Sequence, residues 1–292
     1  MGNYLLYYLI IKPISLLPFW ILYRVSDIFY ILVYYIARYR RKVVYQNLTN
    51  AFPNKSAKEI DLIAKEFYSH FCDVIGESIK LISMSEAELL KRFKLLNPEI
   101  YEPFVKENKN LILIAGHYGN WEWLASSIPT HSSKHLIFGV YKPLKNKFFN
   151  DKMFKIRSKT GIKLITPREL PHTFSENKNR LSGTAFLIDQ APSDPSKCYW
   201  TTFLNQDTPI LTGTEKFAVK YNYPVLVGKI KKIKRGYYTI ESVVLCENPA
   251  TTSKNEITEM HSRFLEQNII EDPAYWLWSH KRWKHKRTNL QL

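Results

Sequence analysis

The sequence of 292 residues has only three cysteines, Cys72, Cys198 and Cys246. Odd in number, scattered and never arranged as Cys-x-x-Cys, they exclude a disulfide framework and a cysteine-based zinc site, and they read as reduced, cytosol-facing thiols. Clustered metal ligands and the His-Glu-x-x-His pattern are also missing, so no metal is expected. Nor is there a Gly-x-Ser-x-Gly elbow, a Gly-x-x-x-x-Gly-Lys-[Ser/Thr] loop or a Gly-x-Gly-x-x-Gly turn. These absences count against elbow-type serine hydrolases, P-loop nucleotidases and dinucleotide enzymes, and no cofactor is expected. Internal repeats and low-complexity tracts are absent. Acids are in deficit: 26 Asp plus Glu face 42 Lys plus Arg, a net charge of +16. That balance favours polyanionic partners, whether nucleic acid, an anionic membrane face, a phosphorylated substrate or an acidic protein.

What the chain does have is apolar length at its start. Residues 4–23 (YLLYYLIIKPISLLPFWILY) are interrupted only by Lys12, Pro13 and Pro18. A helix of that length just matches a hydrocarbon core, but two prolines oppose a straight, regular one. A second stretch, 28–37, is too short to span alone, and Arg38, Arg40, Arg41 and Lys42 follow it. Basic residues beside apolar sequence favour the cytoplasmic side and anionic lipid. Residues 1–45 are therefore read as a hydrophobic membrane-anchoring helical segment; a buried helical hairpin in a soluble core is the alternative.

Residues 46–292 read as an α/β domain. Ser56–Glu59 and Ser85–Glu88 are capping boxes, the first opening a helix with apolar positions from Ile60 to Ile75. The run 111–115 is short and continuously apolar, as strands covered on both faces are; 135–140 and 184–188 look similar, 224–230 follows a helical stretch, and 237–245 alternates. Helical patterns at about 145–159, 212–221 and 253–270 separate or follow them. Strands alternating with helices predict a mainly parallel central sheet flanked by helices.

LILIAGHYGNWEWLA places His117 two residues beyond a predicted strand, and Glu122 five positions later. Carboxyl ends of strands are where open α/β sheets bind ligands. An imidazole oriented by a carboxylate can deprotonate a hydroxyl. On one regular helix the two side chains would diverge, so the pairing requires a bend, for which Gly116 and Gly119 give freedom, with a helix starting near Asn120. The bare spacing is unspecific: chance alone supplies roughly 0.7 such matches in this composition. His261–Glu266 is a second one, inside a helical pattern without glycine. Trp121 and Trp123 are core residues by default and site walls by alternative.

At GHYGNWE the sequence resembles the lysophospholipid acyltransferase superfamily, and more narrowly the late (lauroyl/myristoyl-type) lipid A biosynthesis acyltransferases. RRKVVYQNLTNAFPNKS (40–56), FYSHFCDVIGESIKL, FKIRSKTG, FLIDQAP (186–192), the block 201–228 and PAYWLWSHKRWKHKR (273–287) carry the likeness. The resemblance implies a membrane-associated enzyme moving a fatty acyl chain from an acyl carrier protein thioester to a hydroxyl of an anionic glycolipid, at the cytoplasmic face of the inner membrane, without an acyl-enzyme. His117 would be the general base and Glu122 its orienting partner. Arg157 would bind an anionic group, and Asp189 and Gln190 would border the site. Thr212 and Gly213 would abut the acyl or head-group pocket, and amides near Gly119, Asn120 and Trp121 would hold the oxyanion.

Each of these has a plainer counterpart. Arg157 would otherwise be one more solvated cation, and Asp189 a cap. The basic and aromatic carboxy terminus, from Trp276 to Arg287, suits nucleic acid or an anionic lipid interface, and the hydrophobic start of the chain favours lipid. The basic hairpin 229–235 either receives the acidic carrier protein or is a solvated turn. Two other functions compete: the same chemistry on an amino-acid lipid or lysophospholipid, and a non-catalytic, membrane-anchored lipid-binding protein.

Overall fold

A computed structural model describes residues 2–131 and 134–287. Seven strands form one sheet: Phe93–Leu95 (β1), Leu111–Ala115 (β2), Leu136–Val140 (β3), Lys163–Ile165 (β4), Ser182–Leu187 (β5), Val225–Lys234 (β8) and Tyr237–Cys246 (β9). Their order is β1-β9-β8-β2-β5-β3-β4. Five neighbours from β4 to β8 run parallel, and β9 turns back against β8. The mainly parallel sheet read from the sequence is present; the expected hairpin reverses its direction at β9, and β1 runs parallel to β9 at the edge.

Alternation along β2 shows why its run is continuously apolar. Ile112 and Ile114 pack with Phe186, Val227, Ala218 and Ile257 beneath the helices Gly213–Tyr221 and Glu256–Glu271. Leu111 and Leu113 face the other way, with Ile137, Leu226 and Tyr101, towards the helix Trp121–His131. Both faces are buried, so neither needs a polar stripe.

The helix Ala57–Lys80 carries the capping box at Ser56 and Glu59 in full. At Ser85 only half of a box forms: the hydroxyl accepts from the Glu88 amide, while the Glu88 carboxylate pairs with Arg92. A two-stranded hairpin, Tyr199–Phe203 (β6) with Gln206–Ile210 (β7), has no counterpart in the sequence reading. Its tight turn puts Leu204 and Asn205 at positive φ, where Asn-Gly would have been the usual signal.

The amino-terminal segment breaks as its prolines predict, but the two apolar stretches are divided differently from the sequence reading. Residues 4–23 do not form one helix, because the chain becomes extended at Leu17 and Pro18. Helical turns from Gly2 to Leu16 include a π-turn at Tyr7–Ile11, just before Pro13. Among the described residues one helix is long and apolar enough to cross a membrane, Phe19–Ile36, which joins the end of the first apolar run to the second. It lies against Ala57–Lys80 through Leu22, fully buried, and Ser26; a Cβ added at Gly76 would come within 2.7 Å of the Ser26 hydroxyl. Lys80 Nζ donates to the carbonyls of Ser15 and Leu17, closing the end of the preceding helix.

Candidate active site

The chain leaves β2 at Ala115 and bends through Gly116–Asn120 before entering the helix at Trp121. Gly119 has φ +58°, and a Cβ there would lie 2.6 Å from Ile230 Cγ2, so both conformation and space call for glycine. The bend turns His117 towards the next strand, β5, rather than forward along its own helix. Asp189, just past the end of β5, accepts from His117 twice: Oδ1 lies 2.7 Å from Nδ1, and Oδ2 lies 2.9 Å from the backbone nitrogen. Oδ2 also accepts from Trp276 Nε1 at 2.7 Å.

The partner expected for His117 is thereby corrected. Glu122 faces Arg157 instead, in a two-pronged pair with Oε2 2.9 Å from Nε and Oε1 2.5 Å from Nη2. Five residues of separation with a turn between them place Glu122 across the mouth of the site, while a parallel neighbour delivers a carboxylate straight to the ring. Arg157 was expected to meet an anionic substrate group; in the structure it meets Glu122, with a quarter of its side chain exposed.

Burial alone would disfavour a charged ring at His117, but the Asp189 carboxylate beside it, with a smaller effect from Glu122, lifts its pKa above the ordinary imidazole value. Burial likewise opposes ionised Asp189; the His117 charge and the bonds from His117 and Trp276 outweigh it and hold that carboxyl below its usual range. In neutral His117, Nδ1 donates to Asp189 and the Nε2 lone pair remains, 3.2 Å from the amide nitrogen of Gln190.

Nε2 opens on a cavity of about 570 Å³ between the sheet and the helix Trp121–His131. Its walls are largely apolar: Leu113, Ala185, Leu226 and Ile240 from the sheet, Leu124 and Ile128 from the helix. Gly139 and Gly228 thin the sheet side, and Tyr101 with Ser242 forms a buried hydrogen-bonded pair on the lining near the reversed strand β9. His117, Glu122, Arg157, Gln190, Lys142 and Lys145 supply the charged and polar part of the lining.

The family described as bacterial lipid A biosynthesis acyltransferase matches residues 2–285 of the chain. The chain belongs to that family. It is therefore an acyltransferase of lipid A biosynthesis type, on the mixed α/β fold expected of it. No curated protein matches the chain significantly.

Other residues singled out in the acyltransferase sequence fall outside the cavity. Gly119 donates its backbone N–H to the Tyr275 carbonyl and is not free for an oxyanion. Asn120 is fully buried and turns away, bonding Glu77 with Nδ2 and the Trp123 amide with Oδ1. Thr212 and Gly213 begin the helix on the opposite face of the sheet and do not line the cavity. Trp123 is core, whereas Trp121 lines the cavity and meets the His117 ring edge-on. His261, from the second His-x4-Glu match, is buried under β6 and β7 and driven down to about 3 by that burial.

The carboxy-terminal aromatics are also placed differently from the lipid-interface reading. Trp276, Trp278 and Arg282 are essentially buried. Trp276 forms an antiparallel bridge with Tyr118, Leu277 donates its N–H to the His117 carbonyl, and Arg282 donates to the Pro209 carbonyl. This segment is a strap over the bend at 116–120. Sequence reasoning missed Trp276 as an Asp189 donor because 87 residues separate them and no local pattern marks the contact. In the hairpin, Lys229 pairs with Glu271, Lys232 with Asp73, and Arg235 with Asp73 and Asp27, so three of its five cations face the chain's own acids.

Proposed function

We propose that this acyltransferase moves a fatty acyl chain from an acyl carrier protein thioester to a hydroxyl of a lipid A-type glycolipid precursor at the cytoplasmic face of the inner membrane, with no cofactor and no acyl-enzyme. The observation that carries this reading is the placement of His117: Nδ1 is locked to Asp189, and Nε2 opens on a large apolar cavity. His117 takes the proton of the acceptor hydroxyl, whose oxygen attacks the thioester carbonyl carbon. The tetrahedral intermediate collapses with loss of the C–S bond, and the imidazolium returns its proton to the departing thiolate. Asp189 holds the ring tautomer and stabilises the imidazolium. Gln190, beside Nε2, has an amide N–H for the developing oxyanion.

The acyl chain fits the apolar walls, since each methylene taken from water contributes about 0.8 kcal/mol. Lys142 and Lys145 suit the anionic partners implied by the net charge of +16. Glu122 keeps Arg157 extended across the mouth, where its remaining donors can meet a phosphate. The helix Phe19–Ile36 supports the membrane location.

With acyl carrier thioester and lipid A precursor as substrates, His117→Ala is expected to lower kcat by about two to four powers of ten. Near-full turnover of that variant would end the mechanism. Lipid mass spectrometry of a deletion strain, complemented with wild type or His117→Ala, identifies the acceptor; a mass change in an amino-acid lipid or a lysophospholipid would replace the glycolipid.

A further inference from the structure

Away from the dyad, the deepest ionisable group beneath the catalytic bend is Glu77, on the helix Ala57–Lys80 and fully buried. Its carboxylate accepts from Asn120 Nδ2 at 2.6 Å, Tyr238 Oη at 2.8 Å and Tyr23 Oη at 2.9 Å. Its backbone carbonyl accepts from Trp123 Nε1 at 3.0 Å. Asn120 uses the other end of its amide, Oδ1, to accept from the Trp123 backbone 2.9 Å away, which caps the helix bearing Glu122. Two turns earlier, His70 Nε2 lies 3.1 Å from the Gly119 carbonyl. Phe19 meets Trp123 edge-on, and Arg235 ties Asp73 to Asp27 and to the Tyr23 carbonyl. Burial, with Asp73 nearby, pushes the Glu77 carboxyl up to about 7.

A carboxyl at this depth costs stability compared with a packed apolar side chain, so its value lies in what it fixes. Three donors converge on it from three separate parts of the chain: the amino-terminal helix, the catalytic bend and β9. We propose that Glu77 and Tyr23 are positioning residues for acyl transfer, acting through Asn120 on the start of the helix Trp121–His131. The amino-terminal helix then belongs to the scaffold of the active site, beyond any part it plays at a membrane. This inference rests on the acyl-transfer reading above.

The test uses the full chain in mixed detergent–lipid micelles, with kcat and KM normalised to the folded fraction. Wild-type turnover comes first: its absence would sink the acyl-transfer reading together with this inference, whereas a defect confined to the variants bears on the inference alone. Glu77→Leu removes the acceptor shared by Asn120, Tyr238 and Tyr23, and Asn120→Asp sets two carboxyls face to face. Each is expected to lower kcat roughly ten- to hundredfold, with KM within about threefold of wild type. Adding Glu77→Gln to Asn120→Asp restores a donor–acceptor pair and keeps the helix cap, so the kcat of the double variant E77Q/N120D is expected to return to within about threefold of wild type. Wild-type kcat in both single variants, or a double variant no better than Asn120→Asp alone, would overturn the proposal. Tyr23→Phe is expected to lower kcat in micelles while binding to phosphatidylglycerol vesicles is unchanged; the reverse pattern would reduce Tyr23 to an anchoring role.

Discussion

At the scale of single residues, the site depends on which carboxylate reaches which base. His117 was legible because an imidazole after a buried strand run and before a glycine bend is an unusual local arrangement. Its partner was not legible, because Asp189 arrives from the adjacent parallel strand, 72 positions away. Glu122, close in sequence, is used instead to hold Arg157. The pair has a pH signature. With the His117 pKa raised, the free base predominates only above the ordinary imidazole value of 6.5, so the acid limb of kcat/KM is expected above that pH. Asp189→Asn removes the charge that raises it: the limb is expected to move to lower pH and kcat to fall, both visible in a pH–rate profile. The same pair contributes to folding. Stability from the raised His117 is present below 6.5 and lost as pH rises through its folded value; stability from the lowered Asp189 is present above 3.8 and lost on further acidification. The stability difference between wild type and Asp189→Asn is therefore expected to be largest between those limits in denaturant titrations.

At the scale of elements, strands with unbroken apolar runs and helices with capping signals were readable because burial on both faces and N-terminal capping leave local marks. The hairpin β6–β7 left none, its turn being made by Leu204 and Asn205 rather than by glycine. The carboxy-terminal strap was visible as a signature but not as a strap, since tryptophan among lysines has the same composition in a membrane interface and in a buried clamp. Trp276→Phe keeps the ring and removes the donor to Asp189. It is expected to lower kcat roughly tenfold with KM for the acyl donor little changed, as loss of one charge-assisted hydrogen bond behind the base would. The wall of the cavity offers a complementary test. Ala185→Leu adds bulk on the sheet side and is expected to shift donor preference towards shorter acyl chains; competition between thioesters of different length reads that shift, and an unchanged preference would move the chain elsewhere.

At the scale of the whole molecule, the excess of cations and the apolar start of the chain meet in one region. The helix Gly2–Leu16 rests on the helix Lys147–Arg157 through Tyr4 and Tyr7 against Phe148, and Lys152 donates to the Tyr8 hydroxyl. Leu9 and Ile10 remain exposed, Leu9 at 68%. Leu9→Glu with Ile10→Glu is expected to reduce flotation with anionic vesicles, while thermal stability stays near wild type because neither side chain is buried. The sequence by itself determined the strand and helix alternation and the family, and it singled out His117, because these are written in local spacing and composition. Only the tertiary structure decided that Asp189 rather than Glu122 holds His117, and that Trp276 and Trp278 are buried. Those outcomes depend on which distant segments share a face of the sheet, and packing over such distances has no period that a one-dimensional pattern can carry.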